Sequence, residues 1–121
     1  MTTRPKIAIR RVYEASADAD DASFLIDRLW PRGIRKETLA HCTWLKDVAP
    51  SNALRNWYHK DPTQWHAFTH RYEAELDANP TAWQPLLDAL DDRPIVLLYA
   101  SRDVEHNHAI VLRNYLLRKL K

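Results

Sequence analysis

The chain has 121 residues, 45% of them hydrophobic and 28% charged, the size and composition of one domain with a real core. No apolar run approaches the ~20 residues that cross a bilayer, and a net charge of +2 is too mild to call for nucleic acid. One glycine, Gly33, and one cysteine, Cys42, exclude glycine-rich phosphate loops, internal disulfides and CxxC zinc or redox pairs.

The first residues, Met1 to Arg11, have no apolar h-region before Ile7 and no small-residue cleavage site, so the cytoplasm is the expected location. Residues 6–13 read as a strand, with Ile7 and Ile9 on one side and Ala8, Arg10 and Val12 on the other. Its charged end marks an edge strand. In residues 14–22, Asp18, Asp20 and Asp21 resemble a calcium loop, but the sixth position lacks glycine and the twelfth, counted from Asp18, is Leu29 instead of glutamate. A solvated acidic loop is expected there.

Phe24, Leu25 and Ile26 form the continuous apolar run of a strand covered on both faces, expected over 24–27 and stopped by Pro31 and Gly33. Asp27, Arg28 and Arg32 follow at its carboxyl end, where open α/β sheets place their ligands. Residues 35–40 suit a short helix, and 44–48 suit a short strand or a packed loop equally well. Ser51 is positioned to cap a helix through about His59 that buries Leu54, Trp57 and Tyr58.

Two further helices share one opening, Asp61-Pro62-Thr63-Gln64-Trp65 and Asn79-Pro80-Thr81-Ala82-Trp83. Each sets a capping side chain before a proline at the first helical position, and Gln64 completes a capping box in the first. Trp65, Phe68, Tyr72 and Leu76 make one apolar stripe, and Trp83, Leu86, Leu87 and Leu90 another, with a kink expected at Pro85. His66 and His70 have the spacing of a zinc-binding HExxH helix, but Ala67 stands where that motif needs glutamate. They are expected to be solvated.

Residues 94–100, Pro-Ile-Val-Leu-Leu-Tyr-Ala, are the second continuous apolar run, and a central strand is expected over Ile95 to Tyr99. The long helical stretch between the two runs favours parallel pairing through a right-handed crossover. Residues 101–108 then form a second loop at a strand carboxyl end. A last helix is expected over 105–120, turning Ala109, Leu112, Tyr115, Leu116 and Leu120 to the sheet and ending in Arg113, Arg118, Lys119 and Lys121.

If the two runs are parallel neighbours, Asp27, Arg28 and Arg32 converge with Ser101, Arg102, Asp103, His106 and His108 at one sheet edge. Arginine forks match phosphate or carboxylate oxygens, and a histidine near ~6.5 exchanges protons at neutral pH. His106, His108, Asp27 and Asp103 are therefore the candidate acid–base residues, and Arg28, Trp30, Arg32, Lys46 and Arg102 the candidate ligand-binding ones. The plainer alternative is that Asp27 and Arg28 pair with Arg102 and Asp103 to tie off strand ends, with Asp103 capping the last helix. Metal at Asp103, His106 and His108 would require that the helix start after both histidines, since residues two apart on a helix diverge. No metal or cofactor is assigned.

Several stretches resemble the YeaO-like family of bacterial proteins, within domain of unknown function 488: Leu25-Ile26-Asp27-Arg28-Leu29-Trp30-Pro31-Arg32-Gly33, Trp44-Leu45-Lys46-Asp47-Val48-Ala49-Pro50-Ser51, His59-Lys60-Asp61-Pro62, Arg71-Tyr72-Glu73-Ala74-Glu75-Leu76 and the run from Leu98 to Ala109. The resemblance spans nearly the whole chain and implies no particular activity. It places Asp27, Arg28, Arg32, Lys46, Asp47, His59, Arg71, Asp103, Glu105, His106 and His108 in family motifs, and leaves His41, His66 and His70 outside them. The broader domain usually has a Cys-His pair where this chain has Asn107-His108, so thiol chemistry does not carry over, and Cys42 lies in an unrelated segment.

The expectation is thus a single α/β domain over residues 1–121, with a small, mainly parallel β-sheet flanked by helices. An anionic small molecule is the first expected partner, with or without histidine acid–base catalysis. A nucleic-acid-binding surface is second, built on Arg4, Lys6, Arg10, Arg11, Arg28, Arg32, Arg35 and Lys36 with Trp30 and Trp44 for stacking. It draws on the uneven charge: residues 1–60 hold eleven Lys and Arg against seven Asp and Glu, a balance of +4, whereas residues 61–121 hold seven against nine, a balance of −2. A protein-interaction domain without chemistry is third.

Overall fold

Strands β1 (Ile7–Arg11), β2 (Ala22–Leu25), β3 (Cys42–Trp44) and β4 (Ile95–Tyr99) form a wholly parallel sheet of spatial order β1-β4-β2-β3. The computed structural model describes residues 6–14 and 22–120. The expected acidic loop at Asp18, Asp20 and Asp21, and Arg4 of the basic surface, lie outside the described residues. Strand β4 is buried at every position, as a strand paired on both edges and covered on both faces must be.

The two apolar runs are parallel neighbours, with Phe24 opposite Leu97 and Leu25 opposite Leu98. Strand β1 is an edge strand, as its charged end implied, and it pairs with β4, Ile7 opposite Ile95. It is shorter than expected because a 3-10 turn at Val12–Glu14 ends it. Strand β2 begins two residues before the expected span, at Ala22, and stops two residues short of its end, at Leu25, although Ile26 still donates its N–H to Leu98 O at 3.1 Å. The ambiguous stretch at 44–48 divides between the end of β3 and a 3-10 turn at Lys46–Val48.

All four α-helices are α1 (Asn52–Lys60), α2 (Trp65–Ala78), α3 (Pro80–Leu90) and α4 (His108–Lys119), counted among the described residues. The alternation of strand residues assigns the faces. Ile7, Phe24, Ile95, Leu97 and Tyr99 pack into the large core with Leu54, Phe68, Tyr72, Leu86, Leu112 and Leu116 from the helices. Leu25, Val96 and Leu98 point the other way, into a small cluster closed by Val12, Leu39, Trp30 and Ile34, which come from loops and 3-10 turns.

Three helix boundaries differ from the sequence reading. Helix α2 begins at Trp65, not at Pro62, because Asp61 closes a turn on itself, accepting from Thr63 N–H at 3.3 Å, Thr63 Oγ1 at 2.5 Å and Gln64 Nε2 at 3.3 Å. Helix α4 begins at His108 because Asn107, not Asp103, is its cap, accepting from Ile110 N–H at 3.1 Å. Leu120 therefore falls beyond the last turn and is exposed. Helix α3 continues through Pro85 to Leu90, and Pro85 is exposed.

Candidate functional site

Register builds the site. Asp27 and Ala100 each stand two residues past the paired Leu25 and Leu98, so the Asp27 carboxylate meets the first backbone N–H beyond β4. Its Oδ2 accepts from Ala100 N at 3.0 Å. Its Oδ1 lies 3.1 Å from His108 Nε2, at the start of α4, and that nitrogen is also 3.1 Å from Ile26 O. One N–H cannot point at both; it aligns with Ile26 O, and Asp27 Oδ1 is buried without a hydrogen bond of its own. With acceptors on both sides Nε2 is the protonated nitrogen, so a neutral His108 keeps its free lone pair on Nδ1. The two side chains are only 16% and 17% exposed.

Arg28 turns its guanidinium away from these groups, donating from Nε to Pro50 O at 3.3 Å and from Nη2 to Ala49 O at 3.1 Å. It fastens the end of β2 to the segment leading into α1. That segment is fixed again by Ser51, whose Oγ accepts from Leu54 N and donates to Glu75 Oε2, while its backbone N–H donates to Glu75 Oε1. Buried Tyr72 donates to Val48 O at 2.6 Å beside it.

The loop after β4 is equally constrained. Arg11 Nε donates to Ser101 O at 3.0 Å, Ser101 Oγ accepts from Asp103 N, and Asp103 Oδ1 accepts from both Glu105 N and His106 N at 3.0 Å. These hydrogen bonds hold the Asp103 carboxyl below the usual aspartate range. His106 Nδ1 is 3.8 Å from Asp103 Oδ2, and its ring lies 4.8 Å from that of Trp65 in α2. Asn107, 4% exposed, donates from Nδ2 to Asp103 O at 2.9 Å as well as capping α4.

Between these loops and α1 lies a cleft of about 550 Å3. Asp27, Arg28, Ser101, Asp103, His106 and His108 line it from the sheet edge, and Arg55, Tyr58 and His59 from α1. Burial, and then the nearby Asp103 charge, push the Tyr58 phenol up, so it stays neutral and a donor. Arg28 also lines a second cavity of about 180 Å3 with Ser51, Tyr72 and Glu75. The cleft is thus at the sheet's carboxyl edge, where strand topology led Asp27, Arg28, Asp103, His106 and His108 to be expected.

Four sequence candidates lie elsewhere. Trp30 donates its indole N–H to Ile34 O at 2.7 Å and packs in the small cluster, edge-on to Trp44 with centroids 5.3 Å apart. Trp44 in turn donates to Asp27 O at 2.7 Å, and Lys46 Nζ lies over the Trp44 ring. Arg32 occupies the exposed turn at Gly33, its carbonyl accepting from Tyr13 Oη, and exposed Arg102 does not line the cleft. Conversely, Arg55 was not singled out from sequence. The only trace it leaves there is its spacing of four from His59, which puts both on one face of α1. Among the described residues no group of three His, Cys, Asp or Glu side chains could hold a metal ion, and no helix is long and apolar enough to cross a membrane.

This is the architecture of a small open-sheet α/β domain with a ligand-sized cleft at its strand ends. A family profile described as the inactive DUF488-N3 subclade matches residues 6–121, and the chain belongs to that family. It is similar to the uncharacterized protein YeaO of Escherichia coli K12, 37% identical over 110 residues that cover 91% of this chain and 96% of that one. It is also similar to the uncharacterized proteins Rv3073c of Mycobacterium tuberculosis H37Rv and Mb3100c of Mycobacterium bovis, each 39% identical over 117 residues, 96% of this chain and 98% of theirs. No solved structure matches the chain.

Proposed function

We propose that the domain binds a small anion, phosphate or carboxylate, in the cleft between the sheet edge and α1, without turning it over. One observation carries this. Each cleft carboxylate is held by backbone, Asp27 through Oδ2 by Ala100 N with its Oδ1 buried beside His108, and Asp103 by two backbone N–H groups, whereas the side chains of Arg55 and His59 line the cleft with no hydrogen-bond or ion-pair partner among the described residues. Arg55 brings an uncommitted positive charge and His59 an uncommitted ring N–H, which is what an anion needs. The volume falls in the ~300–1,000 Å3 range of small-molecule sites.

Binding without turnover is favoured by the family description, and by Asn107. At the position where the broader domain has cysteine, this chain has a buried amide whose oxygen and nitrogen are both committed to structure. The His108–Asp27 pair is the one feature that favours an acid–base reading, with Asp27 orienting the imidazole. Its Nε2, however, is spent on Ile26 O. The nucleic-acid reading has less support, since the indole N–H groups of Trp30 and Trp44 are bonded within the fold and the rings pack on each other.

Thermal-shift titration with inorganic phosphate and acetate is the test. An anion at 100 times its Kd stabilises the fold by ~2.7 kcal/mol, and Arg55→Ala together with His59→Ala, both exposed and structurally unbonded, is expected to abolish the shift. Absence of any shift with either anion would remove the proposal.

A further inference from the structure

A bare oxyanion cannot fill this cleft. One water's share of volume is ~30 Å3, so about 550 Å3 leaves most of the space to the remainder of a ligand. That remainder faces apolar wall. Tyr58, Pro62 and Phe68 line the cleft from α1, α2 and their connection, and Leu29, 60% exposed, and Pro50 from the segments before α1.

Aromatic rings form a bank here, of which Tyr58, Phe68 and His106 line the cleft and Trp65 does not. Tyr58 and Phe68 have centroids 4.6 Å apart at 33°, Phe68 and Trp65 are stacked at 5.7 Å and 21°, and Trp65 meets the His106 ring at 4.8 Å. Tyr58 and His106, at the two ends of this bank, both line the cleft. Tyr58 stands three residues after Arg55 on α1, so one helix presents an aromatic ring beside an arginine, and His59 lines the same cleft. Nothing else among the described residues combines these features.

We infer that the ligand is an anion carrying a flat unsaturated ring, its charged group held by Arg55 and His59 and its ring laid against Tyr58 and His106. This rests on the anion-binding proposal above and goes beyond it in naming the ligand class. Ring-on-ring contact adds to simple burial, so planarity and not merely size is what this wall selects.

The test compares inorganic phosphate, phenyl phosphate and cyclohexyl phosphate by calorimetric titration of the full chain. Phenyl phosphate is expected to bind roughly tenfold or more tightly than inorganic phosphate, and measurably more tightly than cyclohexyl phosphate. Tyr58→Phe, which keeps the ring, is expected to retain the phenyl advantage, and Tyr58→Leu to remove it. Should that variant fold poorly, magnetisation transfer from the phenyl protons to the Tyr58 and His106 rings in the unaltered chain decides the matter. Phenyl phosphate no better than phosphate, equal binding of the two organic esters, or no transfer to those rings would each overturn the inference while leaving anion binding intact. No binding by any of the three would overturn both.

Discussion

Asp27 performs at single-residue scale what the sheet edge needs: it ends β2, receives the first free N–H beyond β4 and anchors the start of α4 through His108. Its Oδ1, buried without a hydrogen bond, depends on His108 for any compensation. Removing His108 by His108→Ala should therefore cost about 1–3 kcal/mol, and a double-mutant cycle with Asp27→Asn should show coupling of ~0.5 kcal/mol or more in urea unfolding. Additive losses would mean that the pair is mere proximity. Asp103 sets a pH dependence of defined sign. Its folded value is held low by the Glu105 and His106 N–H groups, so its contribution is fully present above the unfolded value of ~3.9 and is lost as pH falls through the lower folded one. Asp103→Asn, which keeps an accepting oxygen but no charge, should flatten that part of the stability profile between pH 5 and 2 relative to the unaltered chain, a window set by ~3.9.

Elements were legible in the sequence wherever a continuous apolar run or a clear alternation existed. Ile95 to Tyr99, Phe24 to Ile26 and Ile7 with Ile9 identified three strands, and the connection between the first two gave their parallel pairing. Strand β3 was not legible as such, since its three residues include exposed Thr43 and Trp44 and its pairing is supplied by β2. Capping chemistry misled at two places for one reason: Asp61 and Asp103 make the local side-chain bonds of a cap, but to turns that precede the helices. At the site, strand ends pointed to Asp27, Arg28, Asp103, His106 and His108, whereas Arg55 and Tyr58 depend on how α1 lies over the sheet edge, a tertiary fact. Two element-scale substitutions are informative. Gly33 has φ +80° with nothing within 4 Å of a built Cβ, so Gly33→Ala should cost about 1 kcal/mol from backbone conformation alone. Ser51→Ala removes the α1 cap and a Glu75 partner together and should cost about 1–2 kcal/mol, measured by thermal or urea unfolding.

On the scale of the whole molecule the sheet is unequally covered, with every described α-helix contributing to one core and only loops and 3-10 turns closing the other face. Strand β4 is bonded on both sides, β1 and β3 on one. Amide hydrogen exchange should accordingly find β4 released only with global unfolding and β3 much earlier, a ranking that equal protection of both strands would contradict. The strand order also has a consequence for biosynthesis. Strands β1 and β2 touch each other only through β4, which follows all of α1, α2 and α3 in the chain. A ribosome adding about 5–20 residues per second therefore releases β1 and β2 seconds before the strand that joins them exists. Until Ile95 to Tyr99 emerge, Ile7 has no strand to pair with and Phe24 only the short β3, so the nascent chain carries their apolar faces without a completed sheet, as a client for whatever chaperone meets it first.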